Sequence, residues 1–406
     1  MKCGLLGAKL GHSYSQQIHG MLADYEYRNY EKSAEELDAF LRGGDWDGLN
    51  VTMPYKKAVI PYCTQLSERA RRIGAVNTLV RMPDGGLYGE NTDAYGFEKL
   101  IRRNGVEIAG RKCLVLGSGG ASVMACAVLQ DLGADSVTVI SRGGVDNYGN
   151  LERHADAAVI VNTTPVGMFP HNGEAAVDLT AFPACEAVLD VVYNPARTAL
   201  LLQAERRGIR CAGGLYMLVG QAKRSAELFA GRPIDDGEID RIEAQLRREM
   251  LNVVLVGMPG CGKSTLAAAL GEALGRPVVE ADALIAQAAG CSIPEIFARE
   301  GEEGFRRRES EVLREQGKRS GIVLSTGGGC VTREENYGPL HQNGTIVWLR
   351  RDLAALPKEG RPISLRSDLG ELFEQRRACY ERFADCTVDN NGSVAETLRA
   401  ILEVLG

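Results

Sequence analysis

The stretch LNVVLVGMPGCGKSTLAAALGEALG, residues 251–275, decides the fold of the C-terminal part of this chain. An apolar run of strand length leads into Gly257–Ser264, a complete GxxxxGK[ST], and a leucine- and alanine-rich helical segment follows. Strand, glycine-rich turn and helix in that order make a P-loop. Its glycines let backbone N–H groups close around phosphate oxygens, Lys263 neutralises the terminal phosphates, and the Ser264 hydroxyl can ligate a metal. Pro259, Gly260, Cys261 and Gly262 belong to the same cradle and Thr265 follows it, so ATP and Mg²⁺ are the expected cofactors of this half. P-loops serve many functions, and the group that accepts the phosphate has to be read from other residues.

The chain around this motif has 406 residues, beyond the roughly 250–300 that a single core supports, so two or three domains are expected. Hydrophobic residues at 45% and charged residues at 25% suit soluble globular domains, and 48 glycines suit an α/β fold with many tight turns. A net charge of -6 gives no general attraction to nucleic acid or an anionic membrane, so neither is an expected partner. The 11 cysteines are odd in number and scattered from Cys3 to Cys386 without a CxxC pair, which fits reduced thiols in a cytoplasmic protein. No signal peptide and no run of about 18 apolar residues is visible.

Ahead of residue 250, short apolar runs alternate with helical patterns, and a hairpin is expected at Asp84, Gly85 and Gly86. A second glycine-rich turn, Gly117, Ser118, Gly119, Gly120 and Ala121, follows the apolar run KCLVL and precedes a helical segment, as in dinucleotide sites. About 20 residues on, the next strand ends at Ser141 and Arg142, where an NAD site would carry an acid and an NADP site a base. NADP(H) is the expected cofactor. Reducing a carbonyl also needs a proton donor, and Lys56 with Asp93 are the candidate pair.

Eight ordered segments, GHSYS (11–15), NVTMPYK (50–56), GAVNT (74–78), NTD (91–93), GSGGAS (117–122), NTTPVGM (162–168), YNPARTALL (193–201) and GGLYMLVGQA (213–222), resemble shikimate dehydrogenases. The resemblance implies that Lys56 and Asp93 act on the C3 carbonyl or hydroxyl of 3-dehydroshikimate or shikimate. It implies that Ser13 and Ser15 bind the substrate carboxylate, that Thr52, Asn77, Asp93 and Gln221 bind ring hydroxyls, and that Tyr193 lines the pocket. Gly214 would join the turn at 117–121 and Ser141–Arg142 in holding NADP. The chain departs from that pattern at Gln16, where a proline is common, and at Gly143, Gly144 and Val145, where a second arginine often stands.

Behind the P-loop, EAD (280–282), FRRRE (305–309), STGGG (325–329), GRPIS (360–364) and RRACY (376–380) resemble shikimate kinases. The resemblance implies that Asp282 positions the acceptor hydroxyl, that Arg306 and Arg376 grip the shikimate carboxylate, and that Gly327, Gly328 and Gly329 approach its ring. It gives Arg361 a charge-stabilising role on a lid and Glu280, with Ser264, a place at Mg²⁺. Glu280 replaces the first aspartate of D-x-D, and the segment from Trp348 to Arg361 is short for a lid.

The expected architecture is an α/β substrate domain (1–100, with 215–249 packing back), a Rossmann-like NADP domain (101–214), and a P-loop α/β domain of nucleoside monophosphate kinase type (251–406). The expected function is reduction of 3-dehydroshikimate to shikimate with NADPH, then phosphorylation of shikimate by ATP. The alternatives are a non-catalytic nucleotide-binding half, or quinate as the preferred substrate of the first. Oligomeric state, monomer or homodimer, is open.

Overall fold

A computed structural model describes residues 1–11, 13–356 and 369–406. It contains three sheets, each with helices packed against it. The first has six strands: β1 (Lys2–Gly7), β2 (Glu26–Glu31), β3 (Gly48–Val51), β4 (Gln65–Leu66), β5 (Thr78–Arg81) and β6 (Leu87–Glu90), in the order β2-β1-β3-β5-β6-β4. Its β1, β2 and β3 run parallel, whereas β5 is antiparallel to both β3 and β6. The expected hairpin accounts for the β5–β6 pairing: Gly85 at φ 85° turns the chain back from β5 into β6.

The second sheet comprises β7 (Lys112–Leu116), β8 (Ser136–Ile140), β9 (Val159–Asn162), β10 (Ala187–Asp190) and β11 (Arg210–Ala212), all parallel, in the order β11-β10-β9-β7-β8. The third comprises β12 (Asn252–Val256), β13 (Val278–Glu280), β14 (Val323–Ser325), β15 (Gly344–Arg350) and β16 (Cys386–Asp389), also parallel, in the order β13-β14-β12-β15-β16. Every residue of β12 is buried, as a central parallel strand covered on both faces requires. The P-loop therefore leaves the middle of its sheet.

The chain divides into two compact units. The first takes Met1–Gly167, Glu174–Tyr193 and Leu200–Gln245; the second takes Met168–Gly173, Asn194–Ala199 and Leu246–Gly406. The division falls inside the Gly237–Met250 helix, whose Ile239, Ile242, Leu246 and Met250 are buried.

Within the first unit, the Thr92–Arg103 and Leu215–Ala230 helices cross at backbone distance. A Cβ on Gly96 would lie 2.3 Å from the Met217 carbonyl oxygen and 2.9 Å from the Gln221 nitrogen. Only glycine permits that approach, and it seats Gln221 against the helix whose first turn carries Asp93. Among the described residues, no helix is long and apolar enough to cross a membrane.

Candidate functional sites

The first site gathers at the C-terminal ends of β1 and β3 and the start of the Thr92–Arg103 helix. Ser13 and Ser15 come together at the head of the Ser15–Leu22 helix, their hydroxyls 3.1 Å apart. Thr52 follows β3 and donates its N–H to the Leu6 carbonyl at 2.9 Å. Gly7 leaves it room, since a Cβ there would sit 2.7 Å from the Thr52 methyl.

Asp93 lies one residue into a helix capped by Asn91, whose side chain accepts from the Ala94 N–H. Lys56 Nζ donates to Asp93 Oδ2 at 2.6 Å, with side-chain exposures of 31% and 19%. The pair is thus partly screened from water yet reachable from it. Asn77 is buried, donates to Thr92 Oγ1 at 3.0 Å and accepts the Thr92 N–H at 2.7 Å, which fixes it beside Asp93. Gln221 donates to the Leu218 carbonyl at 2.9 Å. Tyr193 stands edge-on to Tyr14, ring centroids 6.1 Å apart, and burial raises its phenol above the ordinary value.

Behind these residues runs a buried polar network that the sequence reading missed. Tyr27 donates to Asn50 Oδ1 at 2.8 Å, and Asn50 Nδ2 donates to Ser225 Oγ at 2.7 Å. Ser225 and Thr78 lie 2.8 Å apart, and Ser225 meets Thr92 at 3.0 Å. Asn50 sits inside the quoted NVTMPYK segment, the one available signal. Ser225, on a different helix, had none. His19 packs at the network's edge, stacked on Tyr27 with centroids 4.1 Å apart and bonded through Nδ1 to the Tyr25 hydroxyl at 2.6 Å. Burial pushes its pKa down to about 3.

In the same unit the turn after β7 fits a dinucleotide. Gly117 takes φ 106°, a left-handed conformation that favours glycine, and a Cβ on Gly119 or Gly120 would meet nothing within 4 Å. The N-terminus of the Gly120–Asp131 helix is therefore open to a pyrophosphate. Ser118 is exposed there and Ala121 half-buried. Beyond β8, the Ser141 N–H bonds to the Asp146 carbonyl, and Arg142 is exposed without an ion pair to a described residue. Gly214 caps the Leu215–Ala230 helix; a Cβ there would lie 2.2 Å from the Val191 carbonyl oxygen, so close packing already requires glycine at that position.

The second site lies in the other unit, at the C-terminal end of β12. Gly257, Gly260 and Gly262 all take positive φ, at 148°, 86° and 96°. Cys261 is buried, and Lys263 opens the helix that follows. Lys263 is buried, and its ammonium donates to the carbonyls of Gly257 at 2.9 Å and Met258 at 3.1 Å. Its third partner is the Cys261 sulfur at 3.9 Å, and a buried cation held only by neutral groups, at a helix N-terminus, suits a phosphate. Ser264 Oγ donates to Glu280 Oε2 at 3.1 Å, with Thr265 exposed beside it. No group of three or more His, Cys, Asp or Glu among the described residues could hold a metal unaided. Ser264 and Glu280 fit a Mg²⁺ ion that takes its remaining ligands from phosphate and water.

The Gly327–Gly329 turn follows β14 and is packed too tightly for side chains. A Cβ on Gly327 would lie 2.4 Å from Glu309 Oε1 and 3.2 Å from Asp282 Oδ1; on Gly328, 2.7 Å from Pro259; on Gly329, 2.1 Å from Arg306 Nη2. The turn thus lies between Pro259 of the P-loop and the side chains of Asp282, Arg306 and Glu309. Arg376 donates to the Gly328 carbonyl at 3.2 Å, and so does the hydroxyl of Tyr380, which is stacked on Trp348.

Sequence reading also missed Glu309. It is fully buried and accepts from Arg306 Nη1 at 2.7 Å, while Glu302 accepts from Nη2 at 3.2 Å. Burial pushes the Glu309 carboxyl above its ordinary range against the pull of Arg306. For Arg306, burial works against the charge but the two glutamates outweigh it and raise the pKa. The i, i+3 spacing of Arg306 and Glu309 within FRRRE was the available signal. Arg361 lies outside the described residues.

Both units are similar to known proteins. Residues 5–79 match the family model for the shikimate dehydrogenase substrate binding domain, and residues 259–406 match that for shikimate kinase. A shikimate dehydrogenase (NADP(+)) of Clostridium perfringens is 35% identical over 265 residues, 60% of this chain and 97% of that protein. One from Shouchella clausii is 36% identical over 258 residues, 56% of this chain and 92% of its own. Among solved structures, a chorismate mutase/shikimate 5-dehydrogenase fusion protein from Clostridium acetobutylicum is 37% identical with a TM-score of 0.57, covering 60% of this chain and 96% of that one. The shikimate 5-dehydrogenase of Thermus thermophilus, in complex with NADP(H) and shikimate, is 29% identical with a TM-score of 0.55, covering 60% and 99%.

Proposed function

From the premise that this chain belongs to the shikimate dehydrogenase family and carries a shikimate kinase domain behind it, we propose that it performs two consecutive steps. The first unit reduces 3-dehydroshikimate to shikimate, and the second phosphorylates shikimate. We assign residues 1–100 with 215–249 to substrate binding in the first, 101–214 to NADP, and 251–406 to the kinase. The observation that carries the reading is the Gly327–Gly329 turn. It packs against Pro259 of the P-loop on one side and against Arg306, Arg376 and Asp282 on the other. Two arginines beside a phosphate cradle suit a carboxylate-bearing alcohol, and shikimate is the product assigned to the first unit.

In the reduction, NADPH supplies the hydride. Lys56 delivers a proton to the oxygen that becomes the hydroxyl, while Asp93, 2.6 Å away, holds the ammonium and accepts from a ring hydroxyl. Ser13 and Ser15 orient the carboxylate with neutral donors, Asn77, Thr52 and Gln221 hold the hydroxyls, and Tyr193 closes the apolar side. In the second unit Lys263 leaves its loop carbonyls for phosphate oxygens, and Asp282 orients the acceptor hydroxyl. Ser264 and Glu280 hold the metal side. Arg306 and Arg376 fix the carboxylate, and Arg361 completes the charge around the transferred group.

The test is one coupled assay with 3-dehydroshikimate, NADPH and MgATP, following NADPH oxidation and ADP release separately. ADP release that depends on prior NADPH oxidation, or on added shikimate, supports the reading. ADP release without either counts against the kinase assignment. Quinate in place of shikimate, with NADP⁺, decides the specificity of the first unit through the ratio of kcat/KM values.

A further inference from the structure

The sheet order of the second unit places the proposed acceptor residues and the P-loop unevenly. β12 is central; Glu280 ends β13 and the Gly327–Gly329 turn follows β14, both on one side of it. On the other side stand the loops that follow β15 and β16. These are fastened to each other and to the P-loop. The Asn390 N–H donates to the Arg350 carbonyl at 2.7 Å, the Asp352 N–H to Asn391 Oδ1 at 2.9 Å, and the buried Asn390 amide to the Cys261 carbonyl. Asp389 accepts from the N–H and the side-chain amide of Asn391.

Arg351 stands in this wall. A Cβ on Gly262 would lie 3.1 Å from Asn390 Nδ2 and 3.7 Å from Arg351 Nη1, so the guanidinium rests directly on the P-loop. Its Nε is buried without a hydrogen-bond partner, and the residue makes no ion pair with any described residue. A half-buried, unpaired guanidinium at Gly262, the residue before Lys263 and the cap of the helix that follows, adds positive charge to a loop that already carries two sources of it. Nothing within the fold rewards that placement. A polyanion on the loop would.

We infer that Arg351 is a nucleotide-holding residue, its guanidinium gripping phosphate oxygens of the bound nucleotide from the side of the P-loop opposite the acceptor. The inference rests on the reading of this unit as an ATP-dependent kinase. An arginine suits the task because its planar, permanently charged group can offer two parallel donors to a phosphate.

The experiment is calorimetric binding of MgADP to the full chain, with kinase kinetics alongside, for the wild type, Arg351→Gln and Arg351→Lys. Glutamine keeps a planar polar head and removes the charge. The expected result is a loss of ADP affinity of about tenfold or more in R351Q, partial recovery in R351K, and a raised KM for ATP with the KM for shikimate within about twofold. The thermal unfolding midpoint of the kinase unit should stay within about 2 °C of the wild type in both variants, which certifies the fold around Arg351. ADP binding by R351Q within twofold of the wild type would overturn the inference while leaving the kinase reading intact. Failure of the wild type to bind ADP at all would overturn both.

Discussion

The two sites of this chain hold their charged groups in opposite ways. In the dehydrogenase unit Lys56 and Asp93 already face each other at 2.6 Å, and Asn77 is locked beside them by two hydrogen bonds. In the kinase unit the lysine donates to carbonyls of its own loop, Arg306 is occupied by Glu309 and Glu302, and Arg376 by the Gly328 carbonyl. On the proposed reading, the first site has its acid pair already joined. In the second, a ligand's anions would draw the lysine from its loop carbonyls, while Glu309 and the Gly328 carbonyl hold the two arginines in place. The difference follows from the chemistry: a proton transfer needs one pair at fixed distance, whereas phosphoryl transfer needs several cations converging on charge that only the nucleotide brings.

That contrast can be broken most directly at its two lysines. Lys56→Ala should lower NADP-linked turnover by about 10²–10⁴-fold, the usual range for a positioned acid or base. Phosphorylation of added shikimate should remain within about twofold, measured as ADP release. Lys263→Ala should do the reverse, lowering kinase turnover by about 10²–10³-fold, comparable to loss of one charge-stabilising donor, with NADPH oxidation unaffected. If either change abolished both activities in a folded protein, the two sites would not be independent.

A third contrast lies in acid. His19 is buried and neutral, with its pKa lowered by burial from 6.5 to about 3. As pH falls below 6.5, the unfolded chain takes a proton that the folded chain refuses, so stability is lost from there down to about pH 3, by at most about 5 kcal/mol. The dehydrogenase unit should therefore unfold at a higher pH than the kinase unit. Acid titration followed by circular dichroism and by the two activities should show NADP-linked activity failing first, and His19→Phe should narrow the gap.

Smaller effects sharpen the comparison. Glu309→Gln leaves the Arg306 guanidinium without its buried counter-ion, and the KM for shikimate in the kinase reaction should rise about tenfold with the KM for ATP nearly unchanged. Ser225→Ala removes one member of the network behind Asn77. It should lower thermal stability by about 1–2 kcal/mol, with a change in dehydrogenase kcat below about threefold.

Much of this was legible in the sequence because the residues concerned sit in local motifs whose geometry is short-range. The P-loop, the turn at Gly117–Gly120 and the Asn91-capped start of the Thr92–Arg103 helix each specify their own backbone. The buried strands NVVLV and VIVN announced parallel sheets in the same way. What stayed hidden depends on partners far along the chain. Ser225 bonds to Asn50, 175 residues away, and nothing near Ser225 marks it. Arg351 reads as an ordinary loop arginine until the fold lays it on Gly262. Glu309 stood within a segment singled out for its arginines, and the charge that mattered as much had the opposite sign.

The crossing of the Thr92–Arg103 and Leu215–Ala230 helices at Gly96 also limits how this enzyme can be altered. Because backbone touches backbone there, the crossing has no side chain that could be trimmed or lengthened as a shim. A saturation library at position 96 should return glycine almost alone among active clones. Efforts to widen substrate range would do better at Tyr14 and Tyr193, where the contact is between two side-chain rings and either can be exchanged.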